Sequence, residues 1–493
     1  MNIVLAVLFA GSAQAATVAA EPGGDLQGYF DTLSAGDEVV LADGLYRVSS
    51  TLVLSEKRGR EDAPIVVRAE DGASPVLQLV TNADGEYPSR ALQIASSTFV
   101  QVQGITFQGD VTASDGSQSY AGIQIDSSSD VTILDSVIKD VAGTAIYLSG
   151  DTNGVTIDHT EISRVYSGYA VYAGCSDVTC LTVDLTLNDN LIHDLFSEDV
   201  DAIRLSHGSS GAVLTDNVIF NIAYRGMWLG STEGGVANTV EGNAIWNVGD
   251  RGIVLQGAAL VRNNIIFNTG GSGIVTRDPE RGFFEDIIIT YNTVVDNDVW
   301  AADLEGWDEG LGLVLANNAL CNPMSYGLYL AKIVPEGAEA SDIDTPGTVV
   351  GNYVCGLVDG PDEELGEVVA GGGYADFSNV EIWDFYPVGG SLLVDAADPS
   401  GELYPPEVDF NGQPREGDKP DVGAYEWDGE GNPGWAIQED FKDFEIVEET
   451  VDAAVESGCC ADSDKSSEAG LLLLPFVGLG VGLRRRRGSK YEK

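Results

Sequence analysis

Between Ser136 and Asn322 one phrase recurs, its first residues spaced 24, 30, 27, 26, 21, 28 and 26 apart. It opens on a small polar residue, usually Asn, and runs through alternating apolar positions to Asn or Asp. After a turn come Gly or Ala, then Ile, Val or Met, one variable residue and Leu. Asn190 to Asp194 leads to Ala202-Ile203-Arg204-Leu205, and Asn217 to Asn221 to Gly226-Met227-Trp228-Leu229. Asn243 to Asn247 leads to Gly252-Ile253-Val254-Leu255, and Asn264 to Asn268 to Gly273-Ile274-Val275-Thr276. Asn292 to Asp296 and Asn318 to Asn322 continue the series, and looser forms begin at Ser136 and Thr160. A period in this range means stacked units, because one unit alone cannot bury its apolar face.

The apolar positions alternate with a period of two, so each unit is built of short strands rather than helices. Asn and Gly fall where the chain must turn. Asn side chains stacked inside successive turns can hydrogen-bond up and down a ladder. The expected fold is all-β: a right-handed parallel β-helix, each coil about 4.8 Å above the last. Side chains two dozen residues apart in the sequence then become vertical neighbours.

The expected organisation is a secretory signal at 1–15, the β-helix over 16–400, a C-terminal cap segment at 401–427, an acidic linker at 428–457 and an anchor tail at 458–493. The signal rests on the apolar run from Ile3 to Ala10 followed by Ala13-Gln14-Ala15. A short capping helix is expected over Leu26 to Ala35. In the tail, Cys459-Cys460 precedes the apolar run from Leu471 to Leu483 and the arginines 484–487. That apolar run is too short to span a bilayer, which takes about 20 residues.

Six cysteines fit an exported protein. Cys321 and Cys355 each stand three residues after an Asn, at 318 and 352, so they share a register position on neighbouring coils and are predicted to be bonded. Cys175 and Cys180 are expected to staple one insert.

The chain carries 25 basic and 78 acidic residues. Without the uncharged first 15 residues and the seven basic and four acidic residues beyond Cys460, 18 basic and 74 acidic remain, a net charge of −56. Such a surface repels nucleic acid and anionic lipid. A monomer is expected. Residues 200–285 depart from this balance with six arginines against eight acidic residues, where the average predicts roughly −11.

Those arginines fall on two outward columns. The residue between the inward Ile and Leu reads Tyr147, Tyr172, Arg204, Trp228, Val254, Val275 along the stack. The residue before the small one reads Thr144, Tyr169, Asp201, Arg225, Arg251, Ser272. Aromatic rings suit sugar faces, and a guanidinium fork suits a carboxylate. Tyr147, Tyr172 and Trp228 are therefore candidate substrate-binding residues. Asp199, Asp201, Arg204, His207, Arg225 and Arg251 are candidate catalytic residues, with Glu198, Asp199 and Asp201 as candidate calcium ligands. Two chemistries are open. Elimination takes a base and a charge that neutralises a uronate. Hydrolysis takes paired carboxylates, Asp199 and Asp201 with Asp250. His159 and His193 read as structural.

The opening segment, Gly36-Asp37-Glu38-Val39-Val40-Leu41-Ala42-Asp43-Gly44-Leu45-Tyr46 followed by Ala63-Pro64-Ile65-Val66-Val67-Arg68-Ala69, resembles the first coils of pectate-lyase-like β-helix proteins, including alginate and chondroitin lyases. The resemblance implies the fold and a polysaccharide partner. This chain departs from those lyases in having no lysine on the coil before an arginine in matching register; Lys139 lies well upstream. The region from Asp384 to Glu426 looks like the closing segment of bacterial surface β-helix proteins. The tail resembles the C-terminal sorting tail of myxobacterial and related surface proteins, which implies recognition by sorting machinery and anchoring at the cell surface. The expected function is an exported, surface-anchored protein acting on a polysaccharide, acidic in type, by lyase or hydrolase chemistry. The alternative is a non-catalytic glycan-binding or adhesin-type protein.

Overall fold

The computed structural model describes residues 15–442 apart from 111–120, 176–178, 278–284, 307–311, 332–346, 360–366, 401–402 and 416–418. The expected signal and the sorting tail lie outside the described residues, apart from Ala15. Among the described residues no helix is long and apolar enough to cross a membrane.

The chain winds through about ten turns of a right-handed parallel β-solenoid. Most coils contribute one strand to each of three parallel sheets, and Thr152–Asn153, Thr182–Val183 and Ser209–Ser210 form a short further stack. Sheet 1 contains Ile146–Ser149, Val171–Ala173, Ile203–Leu205, Met227–Gly230, Ile253–Gln256, Ile274–Thr276 and Trp300–Glu305. Sheet 2 contains Thr186–Asn188, Val213–Thr215, Asn238–Glu241, Ala259–Arg262 and Ile287–Thr290. Sheet 3 contains Glu161–Val165, Leu191–Leu195, Val218–Ile222, Ala244–Val248 and Ile265–Thr269. The inward residues of all three form one continuous apolar core, in which Ile203, Leu214, Ile219, Ile253 and Leu255 are fully buried.

Two sequence rules set the coil. At the corner between sheets 2 and 3, Asn190, Asn217, Asn243, Asn264, Asn292, Asn318 and Asn352 stack inside the turn. Each of the first six donates its Nδ2 to the next Oδ1 at 2.9 Å. Each Oδ1 above Asn190 also accepts the backbone N–H of the Asn one coil back, as Asn243 Oδ1 does from Asn217 at 2.9 Å. Every rung thus satisfies backbone groups that water cannot reach, and a buried amide left unpaired costs about 1–3 kcal/mol. At the corner leading into sheet 1, the small residue is required by close approach. A Cβ at Gly226 would stand 2.6 Å from the Gly252 carbonyl oxygen and 2.9 Å from the Ile245 side chain.

At the N-terminal end the helix Leu26–Thr32 buries Leu26 and Phe30 against the first coils, with Asp25 capping it by accepting the Gly28 N–H at 3.0 Å. The predicted disulfides form. Cys321 and Cys355 face each other in register with Cα atoms 4.5 Å apart, and Cys175 bonds Cys180 across 5.5 Å.

The described residues of 373–442, a range expected to include a cap and the start of a linker, lie along the outer face of sheet 3. Tyr353 donates to Asp376 at 2.5 Å, Ala424 N–H to Thr293 Oγ1 at 2.9 Å, Asn263 Nδ2 to the Val408 carbonyl at 2.6 Å, and Lys442 Nζ to Asp216 Oδ1 at 2.6 Å. The chain thereby returns as a strap from the coil of Tyr353 to that of Asp216. Beneath it, Phe220, Trp246 and Phe267 stack at 4.9 and 5.7 Å; Trp383 packs on Trp246 and Phe267, and Phe385 on Phe267. Arg415 is buried in the strap, pairing with Glu426 at 3.3 Å and lying 4.7 Å from the Tyr291 ring.

Candidate functional site

Sheet 1 brings the predicted outward column together in the predicted order. Tyr147, Tyr172, Arg204, Trp228, Val254 and Val275 are consecutive register partners, continued by Asp303 and Tyr329. The second column stands beside it. Backbone bonds across the corner link the coils of Tyr169, Arg225, Arg251 and Ser272.

The N-terminal part of this face is aromatic. The rings of Tyr147 and Tyr172 stack at 5.4 Å with 13° between planes, and Tyr169 stacks on Tyr172 at 4.9 Å. All three are half-buried, so the group presents ring surface to solvent from a fixed position. Burial raises the Tyr169 phenol above its ordinary pKa, while the nearby Arg204 and Arg225 pull it down.

One coil further, Asp201 is fully buried and holds two arginines. Its Oδ2 accepts Arg204 Nη1 at 3.0 Å and its Oδ1 accepts Arg225 Nε at 2.6 Å. Burial pushes this carboxyl upward in pKa, against the opposing pull of Arg225 and Arg204. Asp201 therefore positions two guanidiniums. Each guanidinium carries five donors, so both keep donors beyond this carboxylate. Arg251 pairs with Asp250 at 2.9 Å. Arg277 pairs with Asp303 at 3.0 Å and also with Glu305. Burial raises the Asp303 carboxyl, and Arg277 and Arg251 oppose that rise.

Several expectations are corrected by this geometry. Trp228 is only 6% exposed. Arg204 lies 4.0 Å over its ring and His207 meets it edge-on at 5.1 Å, so it supports Arg204 and offers no open face to a sugar. Glu198 and Asp199 are exposed in the turn before Asp201 and do not converge with it. Among the described residues no group of three or more His, Cys, Asp or Glu is placed to hold a metal ion. At this turn the Asp201 carboxylate is engaged by two arginines. Asp250 is engaged by Arg251, so Asp199, Asp201 and Asp250 do not form an uncommitted carboxylate pair. Lys139 lies on sheet 3, in register with Ser163.

A family model of the right handed beta helix region matches residues 91–236 and again 182–331. The chain is a right-handed parallel β-helix protein. No curated protein matches it in sequence. Among solved structures, this β-helix protein is similar to an alginate lyase from Paenibacillus sp. strain FPU-7 at 13% identity, covering 58% of this chain and 97% of that one with a TM-score of 0.44. It is also similar to pectate lyase Pel9A at 12% identity, over 84% of this chain and 97% of that one, with a TM-score of 0.43. The alginate lyase AlyGC, of the PL6 family, matches at 14% identity over 80% of this chain and 60% of that one, with a TM-score of 0.45.

Sequence reasoning missed part of this β-helix protein's face. Trp300 lies 4.1 Å from Tyr326 and 5.0 Å from Tyr329, ring centre to ring centre, at the C-terminal end of sheet 1. The signal was present: Tyr326-Gly327-Leu328-Tyr329-Leu330 is the repeated phrase with Leu in the Ile position. Trp300-Ala301-Ala302-Asp303-Leu304 is the same phrase with Ala there.

Proposed function

We propose that the protein binds a polysaccharide, acidic chains included, along the outer face of sheet 1. The observation that carries this reading is the Tyr147–Tyr172 ring stack, half-buried and set one coil from Arg204 and two from Arg225, the pair that Asp201 holds. Rigid tyrosine rings provide amphipathic contact area at little entropic cost, and fixed polar groups beside them give orientation. The paired arginines balance the local carboxylates, so an anionic polymer meets less repulsion here than across the rest of a strongly acidic surface.

Binding is the activity this arrangement supports best. Elimination would find its charge-neutralising part in Arg204 and Arg225, but the nearby phenol of Tyr169 has a raised pKa, which disfavours it as a base at neutral pH. Hydrolysis would require two carboxyl groups facing one bond, and Asp201 is committed to its arginines. The apolar run at 1–15 and the Cys, apolar and Arg sequence at 458–493 support placing this face at the cell surface, as part of the same proposal.

The test is a binding panel of alginate, polygalacturonate, a glycosaminoglycan and a neutral glucan, with ultraviolet and reducing-end assays of the same mixtures. Wild-type protein is expected to retain at least one acidic polymer without releasing products. Tyr172→Ala should weaken that binding about tenfold, or ~1.4 kcal/mol. Unchanged binding by Tyr172→Ala would overturn the site. Unsaturated products would replace the binding reading with elimination, and new reducing ends alone would replace it with hydrolysis.

A further inference from the structure

A second aromatic group, Trp300, Tyr326 and Tyr329, stands at the far end of sheet 1. Trp300 and Tyr326 are register partners, as are Asp303 and Tyr329, so the three rings gather on two adjacent coils. Trp300 and Tyr329 are half-buried and Tyr326 is 40% exposed. Leu357 continues the column on the next coil as the partner of Tyr326. No described residue of the strap stacks on these rings, as Trp383 and Phe385 do on the sheet 3 ladder.

Their place in the fold gives the group its meaning. Tyr329 occupies the same outward column as Tyr147 and Tyr172, and Trp300 and Tyr326 continue the second column, below Ser272. Between the two aromatic groups the columns hold the ion-paired arginines and the buried Val254 and Val275, with no other exposed ring. Six coil steps separate Tyr172 from Tyr329, roughly 29 Å at 4.8 Å per coil. The solenoid holds that span rigid, because every intervening coil is hydrogen-bonded to the next.

We propose that Trp300, Tyr326 and Tyr329 form a second glycan subsite, which holds the same polysaccharide chain that lies on Tyr147 and Tyr172. This rests on the binding reading above and adds its geometry: one extended chain is held at two aromatic platforms, with the arginine belt between them. Two sites joined by one ligand bind with avidity only when the ligand can span both. A chain shorter than the span engages one platform at a time.

Affinity should therefore rise steeply with chain length. The experiment uses the full chain and size-fractionated alginate and polygalacturonate, in fractions shorter and longer than the span, with Trp300→Ala/Tyr326→Ala and Tyr172→Ala beside wild type. The double variant is expected to bind long chains at least tenfold more weakly and short chains nearly as wild type. Tyr172→Ala should weaken both. Trp300→Phe should recover most of the long-chain affinity, and matched thermal unfolding would separate lost contact from lost fold. Equal loss by the double variant at every length, or none at any length, overturns the second subsite. So does a wild-type dimer abolished by Trp300→Ala, which would assign the rings to a second copy of this chain. Wild-type protein that retains neither polymer overturns both proposals. If Tyr172→Ala is silent at every length, the first platform fails and the two-platform span is overturned with it, even where the double variant loses long chains.

Discussion

Sheets 1 and 3 are built from the same coils and differ in what covers them. The outward column of sheet 3 runs His193, Phe220, Trp246, Phe267, with rings at 4.9, 4.9 and 5.7 Å and nearly parallel planes. On ring geometry alone it is a longer platform than the tyrosines of sheet 1. Yet Phe220, Trp246 and Phe267 are buried in one cluster with residues of the returning strap, which lays Trp383 on Trp246 and Phe267 and Phe385 on Phe267. The tyrosines of sheet 1 are half-buried and sit beside paired charges, and no described residue of the strap stacks on them. A ring ladder on a solenoid is therefore a core when the chain folds back over it, and a candidate site when it does not.

Trp246→Ala tests that distinction with the largest expected effect. It empties a fully buried position between two stacked rings and should cost about 3–5 kcal/mol. Glycan binding at a temperature where the variant is folded should be unchanged. Thermal unfolding and the binding panel check the two halves. A loss of glycan affinity in the folded variant would place ligand on sheet 3 and break the comparison. Lys442→Ala sharpens it with a smaller effect. The ammonium is buried, donates to Asp216 at 2.6 Å and to the Gly242 carbonyl at 2.8 Å, and lies 3.7 Å from the Phe410 ring. Its loss leaves a buried carbonyl without that donor, for about 1–3 kcal/mol. If the strap is held at this end, an apolar dye should bind the variant more than wild type. Equal dye binding would mean that Arg415 and its neighbours hold the seal alone.

The sequence made one half of this comparison legible. The Asn period fixed the coil, and the coil fixed which residues stack, so Tyr147, Tyr172, Arg204, Trp228, Val254 and Val275 were found in order, and Cys321 opposite Cys355. Period-based reasoning says which way a side chain points and nothing about what then covers it. Trp228 points outward as expected and is lost beneath Arg204, a contact between neighbouring coils that depends on how one long side chain folds back. The strap was illegible for a different reason. Its contacts join residues such as Lys442 and Asp216, 226 positions apart, with no repeat to mark them. Asp201 read either as a catalytic or metal-binding carboxylate or as an ion-pair partner of the arginines, and the period could not choose between them because its two arginines lie on different coils, one of them 24 residues away.

The smallest predicted effect lies where the covered column ends. His193 stacks on Phe220 and stands 3.5 Å from Glu161 and 3.0 Å from Asp194. Lys139 acts on Glu161 from the coil before. Burial alone would lower the imidazole, but hydrogen bonds to Glu161 and Asp194 prevail and raise its pKa. The hydrogen bond from His193 is in turn the largest cause lowering Glu161. A raised histidine contributes stability that is complete below its unfolded value near 6.5 and is lost as pH rises through the folded value. A lowered glutamate contributes above its unfolded value near 4.5 and loses that contribution as pH falls through the folded one. The pair thus supports the fold most between about 4.5 and 6.5. The stability difference between wild type and His193→Gln should be greatest in that window, on the order of 1 kcal/mol for a partly buried pair, and should shrink at higher pH. Thermal unfolding across pH measures it. A difference independent of pH would mean that His193 serves only as the last ring of the ladder, and the boundary between the covered and charged parts of sheet 3 would then be set by stacking alone.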